Sequence, residues 1–252
     1  MHSLIRVAGC SMQGRVHEKE KKPCQDKHYV WRSKDKKEAG IALADGAGSS
    51  DYSQIGAEYS VTAIIPFVKK NFNELFSDPA TAGGKIVNYL LGGLSEVTLR
   101  SNLILNDMAC TLLFVHILCR KKTIQYIAGH IGDGVIVFVE NNKIKVLSKP
   151  ERGEHANETI FLTSKNSLSR FRVYSGVMLK RKAGFIIMSD GAAETLYVKR
   201  NKEPNQIYCQ TIFAYCDKNP QRVITKALCA NLNGIFREVS SDDCSLCVLR
   251  VT

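Results

Sequence analysis

The sequence has no long hydrophobic run. No apolar stretch in its 252 residues approaches the roughly 20 residues that a transmembrane helix requires. The first residues include a short apolar patch but no long hydrophobic region after a basic one, so we predict no signal peptide. Internal repeats and low-complexity segments are also lacking, which excludes repeat architectures. We therefore expect a cytoplasmic protein without a membrane span.

The chain also lacks the even, regularly spaced cysteines of a disulfide framework. Its nine cysteines are an odd number, and several lie inside apolar runs, so we expect reduced, buried thiols. A single CxxC pair occurs, Cys244 and Cys247, in an apparent strand where its spacing sends the two side chains to opposite faces. Without a second such pair, the sequence does not predict a zinc site there.

The charges are uneven in sign. Lysine and arginine number 35 against 24 aspartates and glutamates, and the net charge of +11 favours acidic partners. The basic clusters are short and dispersed, and no aromatic residues are interleaved with them, so nucleic acid is not the predicted partner. The length and the 44% hydrophobic content fit one large domain spanning residues 1–252.

The apolar pattern predicts an α+β fold. Runs rich in β-branched residues predict about ten strands, grouped in succession, which favours antiparallel pairing over βαβ alternation. Helical spacing predicts helices near 54–76, 81–104 and 218–234, with a break or kink at Pro66 unless neighbouring packing absorbs the lost hydrogen bond. We expect two stacked antiparallel β-sheets flanked by helices, a four-layer α-β-β-α sandwich. Residues 149–168 show neither period and are predicted to form a loop or flap.

Acidic residues recur where apolar runs end or begin. Asp45, Asp133 and Asp190 each precede a glycine beside such a run, and Asp242 precedes the last one. A lone Asp-Gly pair is more often a turn, but the repeated context favours one shared site. A carboxylate at the edge of a core is costly unless it is paired or bound to a metal.

The chemistry of these acids selects the metal. Oxygen ligands without histidine favour Mg²⁺ or Mn²⁺ over zinc. Aspartates from distant strands can hold two such ions about 3.5–4 Å apart, where they activate a water for in-line displacement at phosphorus. Two other groups are candidates for the same site. Gln25 and Asp26 either support the metal ions through waters or form a polar turn, and Arg15 or His17 is a candidate to hold a substrate phosphate.

Taken together, the segments SMQGRVH with CQD, ADGAGSS, GDG, MSDGAAE and DDCSLCVL, in this order, resemble the protein phosphatase 2C-type family of metal-dependent serine/threonine phosphatases. The segments PCQD, ADGAGSSDYSQIGAEYSV and RGEHANETIFLTS are similar to its compact bacterial branch. The resemblance spans nearly the whole chain. It implies a β-sandwich of two antiparallel sheets flanked by helices, with a binuclear Mg²⁺ or Mn²⁺ centre at one end.

The resemblance also implies roles for individual residues. Asp45 would bridge both ions and the Gly46 carbonyl would bind one of them. Asp190 and Asp242 would complete the other ion's ligands, and Asp133 matches the acid for a third, weaker metal. Water held between the ions would attack a phosphoserine or phosphothreonine directly, without a covalent phosphoenzyme. A phosphorylated protein substrate, a cognate serine/threonine kinase and a monomeric state are the implied partners and assembly.

Some positions depart from the family pattern. Gln25 stands where a glutamate is common, Ala47 where a histidine is frequent, and Asp243 where an asparagine is common. Gln25 supports one alternative, a catalytically weak relative that binds a phosphorylated partner or senses a metabolite. The net charge of +11 suits another, a two-metal nuclease. The retained acids argue against the first alternative, and the order of the motifs argues against the second.

Overall fold

Two antiparallel sheets of five strands each dominate the computed structural model, which describes residues 4–140, 142–151, 159–179 and 182–252. The first sheet has the spatial order β1 (Ile5–Met12), β12 (Cys244–Val251), β9 (Ala183–Met188), β6 (Val135–Glu140) and β7 (Lys143–Ser148). The second has the order β2 (Lys27–Arg32), β3 (Glu38–Ala44), β4 (Leu112–Cys119), β5 (Thr123–Ile131) and β8 (Arg172–Leu179). A short hairpin joins β10 (Tyr197–Val198) to β11 (Glu203–Pro204). Every predicted strand is present, and among the described strands the two of this hairpin were not predicted.

The two sheets stack through alternating side chains. Ile41 and Leu43 of β3 pack against Phe185 of β9 and Leu249 of β12 in one buried layer. Neighbouring residues on the same strands, which point the opposite way, face the helices instead. The CxxC pair shows this alternation, because Cys247 lies between the sheets and Cys244 lies under the helices, as predicted.

Helices cover both outer faces. The described helices are α1 (Arg15–Glu20), α2 (Ser53–Lys70), α3 (Phe72–Ser77), α4 (Pro79–Ser101), α5 (Ser167–Arg170), α6 (Asp190–Leu196), α7 (Gln206–Lys218), α8 (Gln221–Asn231) and α9 (Arg237–Val239). A 3₁₀ turn at Leu105–Met108 lies between α4 and β4, and a π-helical turn at Leu232–Phe236 lies between α8 and α9. The second sheet is covered by α2 and α4, and the first by α6, α7 and α8. The four-layer sandwich is confirmed. None of the helices in the described ranges has the length and apolar character to cross a bilayer.

The predicted break at Pro66 does not occur. Helix α2 continues through Pro66 to Lys70, and the interruption comes at Asn71, before α3. Pro66 is exposed, so water can satisfy the carbonyl that its missing N–H leaves free. Ile65 and Val68 beside it are buried and hold the helix on the sheet.

The expectation that every cysteine is reduced is wrong for one pair. Helix α8 packs across β1 and brings the Cα atoms of Cys10 and Cys229 to 5.5 Å, where the two residues form a disulfide. They lie 219 positions apart in the chain, so no local pattern could pair them. Of the seven other cysteines, all except Cys24 are buried.

The predicted flap at 149–168 is only partly described. Residues 149–151 and 159–166 lie in irregular structure and turns, and α5 begins at Ser167. The rest of the predicted flap, residues 152–158, lies outside the described residues.

Candidate metal centre

The four predicted acids meet at one end of the sandwich. Asp45 follows β3, Asp133 lies between β5 and β6, Asp190 begins α6 directly after β9, and Asp242 lies two residues before β12. All four line one cleft of about 330 Å³, which we call the acidic cleft. Gly46 and His17 line it as well. The carboxylates that the sequence places at strand ends are therefore brought together by the fold.

The backbone of Asp45 is fixed by Thr111 at the start of β4. The Thr111 hydroxyl oxygen accepts from the Asp45 N–H at 2.9 Å, and the Thr111 N–H donates to the Asp45 carbonyl at 2.8 Å. A Cβ at the next residue, Gly46, would lie 2.7 Å from the Ser53 hydroxyl oxygen, so only glycine lets α2 start this close. The turn after β3 thus holds both Asp45 and Gly46 at the cleft.

Asp190 is held by its own turn. The Gly191 N–H donates to Asp190 Oδ1 at 2.6 Å, which aligns the carboxylate as β9 passes into α6. A Cβ on Gly191 would lie 2.2 Å from the Asp243 carbonyl oxygen, so glycine is required for the chain to leave the strand here. Burial, followed by repulsion from Asp133 and Asp242, raises the pKa of Asp190 to about 6.

The other buried carboxyls repel one another in the same way. Burial raises the pKa of Asp45 well above its usual range, and the charges of Asp26 and Asp190 raise it further. Asp26 is 1% exposed, and neither of its oxygens has a hydrogen bond of normal geometry within the described structure. Burial and the neighbouring Asp243 raise its pKa to about 8, although the hydroxyls of Ser189 and Ser245 partly offset the rise.

This arrangement fits divalent cations. Unpartnered buried carboxylate oxygens and mutually repelling acids are stabilised when a positive ion lies between them. The donors are oxygens, which suits Mg²⁺ or Mn²⁺. His17, Asp242 and Asp243 also present ligand atoms within 4.8 Å of one another. The residues present therefore match the predicted metal chemistry.

Asp243 is used differently from Asp242. It is 2% exposed, and its two oxygens accept from the backbone N–H groups of Gly14 and Gln25, each at 2.6 Å. His17 Nδ1 lies 3.1 Å from the same carboxylate. Asp242 is exposed and lines the acidic cleft, and its Oδ1 accepts from the Asp243 N–H at 2.8 Å. Asp243 thus ties the segments around residues 14 and 25 to the last strand.

The weaker candidates take different positions. Gln25 is buried, its side-chain amide donates to the Ser50 carbonyl at 3.0 Å, and its Oε1 has no partner in the described part of the chain. Arg15 is the exposed first residue of α1 and is not among the residues that line the acidic cleft. His17, two residues later, is buried and does line it.

Comparison with known proteins identifies the family. Residues 13–233 match the sequence model of the family described as protein phosphatase 2C. The chain belongs to the protein phosphatase 2C family. Serine/threonine-protein phosphatase 3 from Escherichia coli (strain K12) is 26% identical to it over 183 residues, which is 68% of this chain and 67% of the relative.

Two solved structures share the fold of this protein phosphatase 2C member. The serine/threonine phosphatase of S. agalactiae matches with a TM-score of 0.64 at 14% identity, over 98% of this chain and 99% of that chain. The catalytic domain of the serine threonine protein phosphatase PstP, in complex with two manganese ions, matches with a TM-score of 0.60 at 15% identity over 100% of both chains. The predicted fold is confirmed, and the predicted enzyme class, a protein serine/threonine phosphatase, is confirmed at the level of the family.

The acidic cleft of this protein phosphatase 2C chain also has lining residues that were not predicted, among them two from the flap. Thr159 and Phe161 line it from the described end of the predicted flap. The Thr159 hydroxyl donates to Asp133 Oδ2 at 2.7 Å and orients that carboxylate. The segment NETIFLTS carried the family resemblance, but a lone threonine in a loop gives no local signal of a contact made across 26 positions.

Proposed function

We propose that this chain hydrolyses phosphoserine and phosphothreonine monoesters in proteins at the acidic cleft. The observation that carries the proposal is the gathering of Asp45, Asp133, Asp190 and Asp242 around one cleft, with Asp26 buried behind them. Carboxylates gathered in this way repel one another, and the repulsion costs stability unless a cation lies between them. A metal-dependent reaction at the acidic cleft accounts for this arrangement.

The proposal assigns the ligands. Asp45, the Gly46 carbonyl, Asp190 and Asp242 would hold two Mg²⁺ or Mn²⁺ ions, and Asp133 a third, weaker one. Bound there, the ions would supply a water that is nucleophilic at neutral pH and would offset the charge of the phosphate. Gly191, Thr111 and Thr159 orient the ligands through the hydrogen bonds described above.

Hydrolysis by water is supported over a covalent route. The residues that line the acidic cleft include no cysteine. Burial raises the pKa of the nearby Cys24 thiol far above its usual value and the pKa of the Cys244 thiol to about 12, so both stay protonated and poorly nucleophilic. His17 reaches the cleft but is directed to Asp243. The nucleophile is therefore assigned to water.

The same proposal covers the domain organisation, location, assembly and kinase partner of the chain. The chain acts as one catalytic domain, since buried layers join both sheets and the covering helices. A cytoplasmic monomer that reverses a cognate serine/threonine kinase is the setting we propose for it. The alternative of a binding module without catalysis explains less, because such a module gains nothing from buried carboxylates that repel one another.

Hydrolysis of p-nitrophenyl phosphate and of a phosphothreonine peptide tests the proposal. Wild type should turn over both with Mn²⁺ or Mg²⁺ and neither in excess chelator. Asp190→Asn should lower kcat by at least about 100-fold, since one metal ligand loses its charge. Glu96→Gln, the same chemical change at an exposed position on α4, is the matched control. Full turnover by Asp190→Asn, or a wild type inert with every metal, would contradict the proposal.

A further inference from the structure

A second cleft adjoins the acidic cleft. It has a volume of about 430 Å³ and shares Asp133 and Asp190 with the acidic cleft. Its other walls are Lys149, Pro150, Ala193, Tyr197, Lys199 and Lys202. We call it the lysine cleft. Because Asp133 and Asp190 line both clefts, the lysine cleft is a direct neighbour of the acidic cleft.

The three lysines are exposed, and two of them have no charged partner among the described residues. Lys199 pairs with Glu194 on α6. Lys149 and Lys202 have no ion pair or side-chain hydrogen bond with the residues that the structure describes. Lysine ammonium groups act as point charges that bind phosphate and carboxylate. Among the described residues, the lysine cleft therefore has two unpaired ammonium groups in the same lining as Asp133 and Asp190.

The lysines stand on ordered backbone. Lys199 and Lys202 lie in the turn between β10 and β11, which the Asn201 N–H closes by donating to the Val198 carbonyl at 3.2 Å. The Asn205 N–H donates to the Leu196 carbonyl at 2.7 Å and ties the hairpin to the end of α6, the helix that begins with Asp190. Lys149 follows β7 directly. The spacing between these lysines and the reacting end of the cleft is thus set by the fold.

We propose that the lysine cleft binds a second anionic group of the substrate, next to the phosphoserine or phosphothreonine that is hydrolysed. This inference rests on the proposed function and narrows its substrate class to phosphoproteins whose phosphorylation site is flanked by acidic side chains or by another phosphate. A neutral flanking segment gains nothing from ammonium groups, whereas an anionic one pairs with them as the reacting phosphate enters the acidic cleft. The net charge of +11 favours the same substrates at longer range.

The test compares three phosphothreonine peptides that differ only in two flanking residues, which are alanine, glutamate or phosphoserine. Wild type should show a higher kcat/KM for the two anionic peptides than for the neutral one. In Lys149→Glu/Lys202→Glu the ratio of anionic to neutral kcat/KM should fall about tenfold, because attraction becomes repulsion. A larger fall for phosphoserine than for glutamate would identify a second phosphate as the preferred group. Lys149→Ala/Lys202→Ala should show a smaller fall in the same direction.

The control is Lys121→Glu/Lys122→Glu, with the same charge change in the exposed turn between β4 and β5. That turn lies at the far end of the second sheet from Asp45, since β4 starts beside Asp45 and runs away from it. In the control, the ratio of anionic to neutral kcat/KM should equal that of the wild type. An unchanged ratio of anionic to neutral kcat/KM in the Lys149 and Lys202 variants would overturn the proposal. An equal fall in kcat/KM for neutral and anionic peptides is one form of that result.

Binding separates this inference from the proposed function. If wild type with Mn²⁺ hydrolyses no peptide and no p-nitrophenyl phosphate, the proposed function fails. Fluorescence anisotropy of the labelled peptides then measures, without turnover, whether the protein binds the anionic peptides more tightly than the neutral one. Weaker binding of the anionic peptides by Lys149→Glu/Lys202→Glu than by the control supports the lysine cleft, and equal binding overturns it.

Discussion

The carboxylate of Asp243 accepts a hydrogen bond of 2.6 Å from the backbone N–H of Gln25, a residue 218 positions earlier in the chain. The other oxygen of Asp243 accepts from the Gly14 N–H at the same distance. Hydrogen bonds from backbone N–H groups to a buried carboxylate are among the stronger ones in proteins. Asp243 therefore fixes the two segments that carry His17 and Asp26 beside the acidic cleft.

Removing this carboxylate should cost both stability and activity. Asp243→Ala leaves two buried N–H groups without acceptors, at an expected cost on the order of 2 to 5 kcal/mol. Asp243→Asn keeps one acceptor oxygen and should cost less. Thermal unfolding and p-nitrophenyl phosphate turnover check this order, with the exposed Asp51→Ala as the control. If Asp243→Ala unfolds at the wild-type temperature, Asp243 does not hold the two segments.

The stabilisation by metal should grow with pH. The pKa values of Asp190 and Asp26 are raised from 3.8 to about 6 and about 8, so without a cation the folded protein holds these protons more tightly than the unfolded chain. That stability is present below about pH 4 and is lost as the pH rises toward 8. The gain in melting temperature on adding Mn²⁺ to chelator-treated protein should therefore be larger at pH 8 than at pH 5.

The comparison must be made at each pH, because histidines act in the opposite direction. Burial lowers the pKa of His130 well below its usual value, so that residue costs stability as the pH falls below about 6.5, with or without metal. The difference between the two melting curves removes this shared effect. A gain that is equal at the two pH values would contradict the repulsion between the acids.

A single methyl group at Gly191 should disturb the centre. In Gly191→Ala the new Cβ would lie 2.2 Å from the Asp243 carbonyl oxygen, so α6 and Asp190 must shift. We expect a loss of about 1–3 kcal/mol and weaker Mn²⁺ binding by calorimetry. Gly92→Ala on α4 is the matched control, because its Cβ meets nothing within 4 Å. That variant should gain about 0.5–1 kcal/mol. Unchanged Mn²⁺ affinity in Gly191→Ala would show that the strand exit tolerates a side chain.

The disulfide should be visible in solution. Under oxidising conditions the denatured protein should titrate seven thiols, since Cys10 and Cys229 are paired. Reduction should lower stability by about 2–5 kcal/mol, because the bond closes a long loop in the unfolded chain. The melting temperature of Cys10→Ser should not respond to reductant. Nine titrated thiols in the oxidised protein would show that the bond does not form.

The sequence predicts most of the sheets and most of the site because both leave local signals. β-branched runs set the strands, and an acid followed by glycine at a strand end predicted Asp45 and Asp190 at the acidic cleft. Helix α7 was missed, although Cys209, Phe213 and Cys216 have helical spacing, because its aromatic and β-branched residues are weak helix formers. The signal available in the sequence was the spacing of these apolar residues, four from Cys209 to Phe213 and three from Phe213 to Cys216.

Other features depend on contacts that no local pattern encodes. The pairing of Cys10 with Cys229 follows from the packing of α8 on β1. Asp242 and Asp243 are adjacent and chemically alike, and only the turn into β12 decides which of them lines the cleft and which is buried. The lysine cleft joins Lys149 to a hairpin about fifty positions away, and the sequence shows these residues only as parts of dispersed basic clusters.

The position of β1 at the edge of its sheet affects how the enzyme is made. Its one neighbour in that sheet is β12, the last described strand, and β2 to β11 are synthesised in between. Before β12 is synthesised, β1 has no strand to pair with in its sheet. Asp242 and Asp243 are also not yet present to complete the centre. The nascent protein should therefore be unable to act on phosphoproteins until Asp242, Asp243 and β12 have been synthesised, so that catalytic competence arrives in one step, after the other described strands have been made.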